Sequence, residues 1–318
     1  MTDRNAFGHD TTTDEVLDGV DLAGKTALVT GASGGLGAQT ARAFASKGAS
    51  VIITARDIDK AQGVVDSITE STGNDQIRIE QLELGSFSNI RAFADRINDG
   101  VESIDILANN AGVMVCPFGH TADGFEMQFG TNHLGHFLMT CLIAPTLVAG
   151  GPTRVVSLSS RGHHLSPVVF DDINFESREY DKWGSYGQSK TANVLFAVEL
   201  DRRLRDRGVR AVAVHPGVIM TDLARHMTEA DFEEMSNRRE GVPMQLKPVE
   251  AGAATTVYAA TAPELDGRGA VYLEDCHVAE VVDDDPTGGV RSYAVDPVLA
   301  ERLWTISEGM VGEEFALS

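Results

Sequence analysis

The sequence predicts an α/β fold, a doubly wound parallel sheet with helices on both faces. Short apolar segments alternate with helical patterns along nearly the whole chain, which is typical of sheets built from strand–helix–strand units. The 318 residues, 42% of them apolar, are enough for one large domain or two small ones. No stretch of linker composition separates two halves, so a single domain is the interpretation we adopt.

A glycine-rich turn follows the first predicted strand. Residues 27–29 form a short apolar run, Gly31, Gly35 and Gly37 follow it, and a helical pattern begins at Ala38. Glycine lets a backbone approach a phosphate closely, and the helix directs its N–H groups and positive dipole end at the same place. This order indicates a site for a dinucleotide pyrophosphate, with an ordinary tight turn as the alternative.

The residues at the end of the second predicted strand, Gly48–Ala55, indicate which cofactor the protein prefers. An acidic residue there would bind the adenosine ribose 2′-hydroxyl and favour NAD, but Ala55 is followed by Arg56. A guanidinium suits a 2′-phosphate as a bidentate, charge-assisted partner. We therefore expect NADP(H) to be preferred, with NAD(H) as a second option. The alternative is that Arg56 is a solvated loop residue.

The middle of the chain continues the alternation. N-N-A-G at residues 109–112 follows a strand, and Asn132 falls inside a long helix, where asparagine is unfavourable and bonds locally or kinks the helix. His133 and His136 have no third ligand and are interpreted as packing or surface residues, not metal ligands. The predicted elements are the helices Ile58–Glu70, Ser86–Asn98 and Phe125–Ala149 and the strands Ile77–Leu84, Ile104–Leu107 and Arg154–Ser160.

One tyrosine has a lysine four residues later. Tyr186 and Lys190 lead into a predicted helix, Thr191–Arg205, and would share one of its faces. A phenol with a pKa near ~10 is a poor acid or base at neutral pH. An adjacent ammonium stabilises the phenolate and lowers that pKa, so the pair indicates proton transfer.

The last third of the chain adds two strands and three helices. The strand Val209–Val214 ends in a Pro-Gly turn. Leu223–Arg239 is charged but has apolar residues at helical spacing, so it is either a lid over the substrate, about residues 221–246, or a surface helix. The remaining elements are the helices Val249–Ala260 and Pro297–Met310, the strand Ala270–Leu273 and an exposed loop at 283–289.

The amino-acid composition limits the kinds of partner that the protein can bind. The chain has 47 acidic and 26 basic residues, a formal net charge of −21. Nucleic acids and anionic membranes bind clustered Lys and Arg, so this balance argues against both and favours a solubilising surface. Residues 1–20 lack the apolar segment of a signal peptide, and the longest apolar stretch, Phe137–Ala149, is too short to span a bilayer. Three cysteines without paired spacing fit the cytoplasm and no metal site.

In their order, the motifs resemble those of the short-chain dehydrogenase/reductase family. They are T-G-x-x-x-G-x-G from Thr30, N-N-A-G, Asn132, a serine at a strand end, Y-x-x-x-K and P-G-x-x-x-T. SSRGHH, FDDINF, SYGQSKTANVLF and LEDC resemble the branch of retinol dehydrogenases, WW-domain oxidoreductases and protochlorophyllide reductases. The resemblance covers about residues 22–310 and implies a Rossmann-like fold. It leaves residues 1–21 as an extension and 311–318 as a tail.

The resemblance implies hydride transfer between an alcohol or carbonyl carbon and a nicotinamide. Tyr186 would transfer the hydroxyl proton, and Lys190 would lower its pKa and bond the ribose. Ser160 would orient the substrate oxygen, and Asn132 would support a water relay toward Lys190. A homodimer or homotetramer is also implied. The cofactor-binding residues implied are Thr30, Gly31, Ser33, Gly35, Leu36, Gly37, Arg56, Glu83, Leu84, Asn110, Ala111, Gly112, Tyr186, Lys190, Pro216, Gly217, Val218 and Thr221.

The branch implies a bulky lipophilic alcohol or ketone, such as a hydroxysteroid or a retinoid-like alcohol. Residues 161–182, longer than in most of the family, would form a loop near it. Small polar ketones or sugars, epimerisation, and dinucleotide binding without turnover remain open as alternatives. The apolar residues expected at the substrate are Met114, Val115, Phe118, Val168, Val169, Phe170, Met220, Leu223 and Met227.

Overall fold

The computed structural model describes residues 7–237 and 245–317, in which eight strands form one sheet in the order β3-β2-β1-β4-β5-β6-β7-β8. All neighbouring strands run parallel except β8, which pairs antiparallel with β7. The order reverses at β1, so that β2 and β4 flank it, and such a switch opens a crevice at the carboxyl ends of the strands. The strands are β1 (Thr26–Val29), β2 (Ser50–Ala55), β3 (Ile77–Gln81), β4 (Ile106–Asn109), β5 (Thr153–Leu158), β6 (Val209–His215), β7 (Tyr272–Glu274) and β8 (His277–Val278).

Helices cover both faces of the sheet, as predicted. Successive strand residues point to opposite faces, so Leu28 of β1 joins one apolar cluster while Ala27 and Val29 join the other. Helices α4, α6, α8 and α11 contribute to the first cluster, and α1, α2, α3 and α10 to the second. The helices are α1 (Thr13–Val16), α2 (Gly35–Ala45), α3 (Ile58–Thr72), α4 (Phe87–Gly100), α5 (Met127–Phe129), α6 (Gly135–Leu142), α7 (Ala144–Gly150), α8 (Lys182–Leu204), α9 (Glu229–Asn237), α10 (Val249–Thr261) and α11 (Pro297–Val311).

The single helix predicted over Phe125–Ala149 is wrong, because the segment is interrupted twice. A π-helical turn at Gly130–Leu134 separates α5 from α6 and contains Asn132. At Ile143 the helix stops, and α7 restarts with Pro145 in its first turn, where a missing N–H costs nothing. No single described helix is long and apolar enough to cross a membrane; Met127–Leu142 and Ala144–Gly150, bent by 63°, meet those criteria only together.

Several other boundaries differ from the prediction. Helix α8 begins at Lys182, nine residues before the predicted Thr191, because Asp181 accepts a hydrogen bond from the Trp183 N–H and caps it. The predicted lid helix is a short 3₁₀ turn, Asp222–Ala224, followed by α9, and residues 238–244 of the predicted lid lie outside the described residues. β8 has only two residues, too few to show a periodic pattern in the sequence.

The described part of the N-terminal extension, residues 7–21, packs on the domain. Thr12 and Glu15 form a reciprocal capping box that starts α1. Val16 and Leu17 are fully buried, against α2 and α10. The extension is therefore part of one apolar cluster, not a separate appendage.

Candidate active site

A cavity of about 660 Å³ lies at the carboxyl ends of the strands. The turns that follow β1, β2, β4, β5 and β6 all contribute to it, because parallel strands place these ends at one edge. All predicted site residues line it except Thr30 and Asn132. Those that line it are Gly31, Ser33, Gly35, Leu36, Gly37, Arg56, Glu83, Leu84, Asn110, Ala111, Gly112, Ser160, Tyr186, Lys190, Pro216, Gly217, Val218 and Thr221.

The glycine-rich turn has the shape of a phosphate cradle. No described atom lies within 4 Å of the place a Cβ on Gly34 would take, and no described side chain caps the N-terminus of α2 behind it. Its first-turn N–H groups therefore face open space, where the dipole favours an anion. Gly37 packs inward, since a Cβ there would lie 2.5 Å from Nδ2 of Asn110. The turn fits the pyrophosphate of a dinucleotide.

The side chain of Thr30 connects the end of β1 to the turn that follows β4. It is fully buried, and its Oγ1 accepts the N–H groups of Asn110 at 2.9 Å and Ala111 at 3.0 Å. The Asn110 amide donates in turn to the Thr30 carbonyl oxygen at 2.7 Å. The structure therefore places Thr30 behind the cavity wall, where it holds the N-N-A-G turn against the glycine-rich turn.

Asn132 is buried and fully engaged within the protein. Its Oδ1 accepts the Val113 N–H at 2.8 Å, and its Nδ2 donates to the Val113 carbonyl at 2.9 Å and to Ser189 Oγ at 3.0 Å. The side chain thus ties the loop after β4 to α8. Asn132 lies in the π-helical turn, which shifts it from its place in a regular helix. The shift lets its side chain reach both the loop and α8.

His136 links Asn132 to Thr30, a role that its sequence position did not reveal. Its Nδ1 donates to the Asn132 carbonyl at 3.0 Å, so Nε2 of the neutral ring accepts the Thr30 hydroxyl at 2.9 Å. Burial lowers the pKa of His136 to about 4, which keeps the ring neutral. His133 is also buried and bonds Ser307, so neither imidazole is a surface residue. No group of three or more His, Cys, Asp or Glu side chains within residues 7–237 and 245–317 could hold a metal ion.

Ser160 and Tyr186 meet at the cavity. Ser160 Oγ accepts the Gly162 N–H at 3.0 Å. A Cβ on Gly162 would lie 2.6 Å from Cε1 of Tyr186 and 3.4 Å from Ser160 Oγ, so the ring and the hydroxyl lie against the same glycine. The neighbouring Ser159 instead donates to the Lys190 carbonyl at 2.8 Å and is buried. Lys190 donates from Nζ to the Leu158 carbonyl at 3.1 Å, and Nζ lies 5.7 Å from the centre of the Tyr186 ring.

Positive side chains gather at one end of the cavity. Arg56 lies 3.6 Å from Glu83, and Lys60, in the first turn of α3, lies 3.2 Å from Asp222. Arg225 lines the same cavity, and burial together with the charges of Arg225 and Arg56 lowers the pKa of His226. The sequence prediction missed Lys60 and Arg225. Lys60 could have been found, because it opens the helix that follows β2, whereas only the fold brings Arg225 to this end.

The comparisons with known proteins agree with this geometry. The family model of the short chain dehydrogenases matches residues 25–231. The chain belongs to the short-chain dehydrogenase family. It is similar to human retinol dehydrogenase 13, 41% identical over 295 residues, which cover 92% of this chain and 86% of that protein. Human retinol dehydrogenase 12 is 40% identical, with 92% and 88% covered.

A solved structure shares both the fold and much of the sequence. The crystal structure of an uncharacterized protein from Mycobacterium paratuberculosis is 36% identical, with a TM-score of 0.71, and 93% of this chain and 96% of that chain are covered. This short-chain dehydrogenase is therefore an NAD(P)-dependent oxidoreductase of alcohols and carbonyls, in the retinol dehydrogenase branch.

Burial sets the protonation of the tyrosine–lysine pair in this dehydrogenase. It raises the pKa of Tyr186 to about 12, and the hydrogen bond from Ser160 opposes the rise only in part. Burial also lowers the pKa of Lys190 to about 8. The lowering of the phenol pKa that we expected from Lys190 is therefore not seen in the protein alone, because loss of solvent outweighs it. Tyr186 carries its proton at neutral pH and can donate it.

Proposed function

We propose that this dehydrogenase reduces a carbonyl with NADPH and runs the reverse reaction with NADP⁺. The observation that carries the proposal is that Ser160, Tyr186 and Lys190 line one cavity together with the glycine-rich turn. The bound cofactor supplies or accepts the hydride. The chain's own residues hold the substrate oxygen and move its proton.

In this proposal, the Ser160 hydroxyl orients the substrate oxygen and Tyr186 gives it a proton during reduction. A protonated phenol suits this direction, and the charge of Lys190 beside the ring stabilises the phenolate that remains. Asn132 belongs to the set as a positioning residue, since both of its amide protons bond protein atoms. Its bonds hold the loop at Val113 and α8 at a fixed spacing, and α8 carries Tyr186 and Lys190.

We further propose that the substrate has a large apolar body. Met114, Met220, Leu223 and Met227 line the cavity as expected. Phe232 and Met235, which belong to the predicted lid, add to this wall, as do Leu165 and Trp183, which the sequence prediction missed. Val115 and Val168 lie instead in the buried interior, and Phe118 is 49% exposed. A flexible, methionine-rich wall accepts bulky apolar groups of varied shape.

The preference for NADP(H) rests on the cationic end of the cavity. Ala55 closes β2 where an acidic residue would favour NAD, and Arg56, Lys60 and Arg225 all line the cavity. Arg56 pairs with Glu83 and Lys60 with Asp222, so a 2′-phosphate would take the place of these carboxylates as the partner of the two cations. We expect the wild type to show a higher kcat/KM with NADPH than with NADH.

Replacing Arg56 by alanine tests this directly. The variant should lose roughly tenfold in kcat/KM for NADPH and change little for NADH, because only the phosphate contact is removed. Arg78→Ala is the matched control, since Arg78 pairs with Glu80 on β3 and does not line the cavity. A wild type that prefers NADH, with the same ratio in Arg56→Ala, would refute the preference.

A further inference from the structure

A second cationic region lies at the opposite end of the cavity from Arg56. Arg161 follows Ser160 directly, and Arg291 and His164 line the cavity beside it. Arg56 and Arg161 follow β2 and β5, which are three strands apart in the sheet. At ~4.8 Å per strand the two ends are roughly 14 Å apart, so Arg161 belongs to the substrate end.

Buried donors at this end have no protein partner. Within the described chain, Nε of Arg161, Nε2 of His215 and the hydroxyl of Tyr272 are buried without a hydrogen-bond partner. His215 Nδ1 accepts the backbone N–H of Arg161 at 3.2 Å, so Nε2 carries the proton of the neutral ring. Burial, together with the charges of Arg161 and Lys247, lowers the pKa of His215 and keeps it neutral. Arg161 and His215 line the cavity, whereas Tyr272 does not, so two unpartnered polar groups at the cavity wall call for an acceptor.

The charge of Arg161 is also uncompensated. No acidic side chain in residues 7–237 or 245–317 forms an ion pair with Arg161 or Arg291. Two carboxylates act on these cations without an ion pair: Asp285 on both and Asp283 on Arg291. Asp285 bonds the N–H and hydroxyl of Thr287, and Asp283 accepts the N–H of Ser292. Burial lowers the pKa of His164 to about 4, so at neutral pH this end is positive through its two guanidinium groups alone.

We propose that this end of the cavity binds a carboxylate of the substrate, which is therefore an oxo acid or hydroxy acid with an apolar body. The inference rests on the proposed function and narrows its substrate class. A carboxylate is an acceptor-only group, and its two oxygens match the planar fork of a guanidinium. The methionine-rich wall would hold the apolar body of the same molecule, and the adjacent Ser160 would hold its reacting oxygen.

Substrates with the same carbon chain but different charge separate the effect of the carboxylate on activity from that of the apolar body. We would measure NADPH-dependent kcat/KM for 2-oxo-octanoate and 4-oxo-octanoate, for their methyl esters, and for 2-octanone and 4-octanone. At least one oxo acid should exceed its ester and its ketone by tenfold or more, because a charge-assisted hydrogen bond of this kind changes binding by roughly 10- to 100-fold. The ester has the same shape but no charge.

Variants then assign the effect to Arg161. Arg161→Gln should lower the ratio of acid to ester by about tenfold or more, and Arg161→Lys should restore part of it, because it keeps the charge but not the fork. Arg96→Gln is the charge-matched control, since Arg96 pairs with Glu80 away from the cavity and should leave every ratio unchanged. Circular dichroism and melting temperature would verify that each variant folds.

Binding of octanoate and 1-octanol, measured by calorimetry, gives a readout that needs no turnover. Tighter binding of octanoate that is lost in Arg161→Gln supports the carboxylate site. Reduction of ketones without any preference for the acids would overturn the inference and leave the proposed function standing. If octanoate binding depends on Arg161 but the protein reduces no carbonyl, the carboxylate site stands and the proposed function is wrong.

Discussion

Replacing Lys190 by methionine should stabilise the folded protein while removing its activity. Lys190 is buried, and burial lowers its pKa from 10.5 to about 8. A difference of that size corresponds to about 3 kcal/mol that folding loses by burying the ammonium. Methionine has a similar length and no charge, so Lys190→Met removes the cost. Turnover and cofactor affinity should both fall, because the ammonium serves the phenol and the ribose in our proposal.

The stability gained by Lys190→Met depends on pH. Below pH 8 the lysine is protonated in both the folded and the unfolded chain, so the full cost is present. Between pH 8 and 10.5 the unfolded chain keeps the proton and the folded chain releases it, so the wild type gains stability as the pH rises. The advantage of Lys190→Met should therefore be largest at pH 7 and should vanish near pH 10.5.

The hydrogen bond that the substitution removes costs little. Lys190 donates to the Leu158 carbonyl, but Nδ2 of Asn193 donates to the same oxygen at 2.9 Å and keeps it bonded. We therefore expect a net gain of about 2–3 kcal/mol at pH 7. Lys247→Met is the control, since Lys247 is also buried but pairs with Asp275, and its loss leaves that carboxylate alone.

Urea unfolding followed by circular dichroism at pH 7, 8, 9 and 10 measures the effect. Only the difference between variant and wild type is needed, because the other titrating groups are common to both. The reasoning is refuted if Lys190→Met is no more stable than the wild type at pH 7. It is equally refuted if the gain is the same at pH 7 and pH 10.

Two further predictions concern the ring beside Lys190. Tyr186→Phe should lower kcat by about 100-fold or more and leave the dissociation constant of NADPH nearly unchanged, because the ring stays and only its proton is lost; a variant as active as the wild type would contradict the assignment. Gly162→Ala should lower kcat about tenfold and cost about 1–3 kcal/mol of stability, because its Cβ would lie 2.6 Å from Cε1 of Tyr186. Kinetics and urea unfolding of the same preparation check the second prediction, and an unaltered kcat would show that the ring position is not critical.

The residues that line the cavity were predictable because they follow strand ends. The sequence shows where each apolar run stops, and a parallel sheet brings those stops to one edge. Gly35 after β1, Gly112 after β4 and Ser160 after β5 therefore converge without knowledge of any distance. The family resemblance placed Thr30 at the cofactor, but the motif does not show that its side chain points into the protein.

The parts that were not predictable depend on packing between distant segments. Asn132 indicates a local bond or a kink but not a π-helical turn, because most residues of the turn and of α6 are buried and no polar face shows a change of period. The pKa of Tyr186 follows from burial, which spacing to Lys190 cannot reveal. His215 meets Arg161 because β6 runs beside β5, and Tyr272 lies one strand further, on β7. His215 and Tyr272 lie on separate strands and Arg161 follows a third, so the sequence gives no sign that they come together.

Basic side chains line both ends of the cavity, although the protein as a whole is acidic. The chain has a net charge of −21, yet Arg56, Lys60 and Arg225 lie at one end of the cavity and Arg161 and Arg291 at the other. In water at physiological salt, charges farther apart than ~8 Å are largely screened, so the acidic surface adds little inside. The local groups therefore set the charge of the cavity, and in our two proposals each end binds an anion. An apolar wall between two such ends selects molecules with charge at defined positions, which a uniformly hydrophobic pocket cannot do.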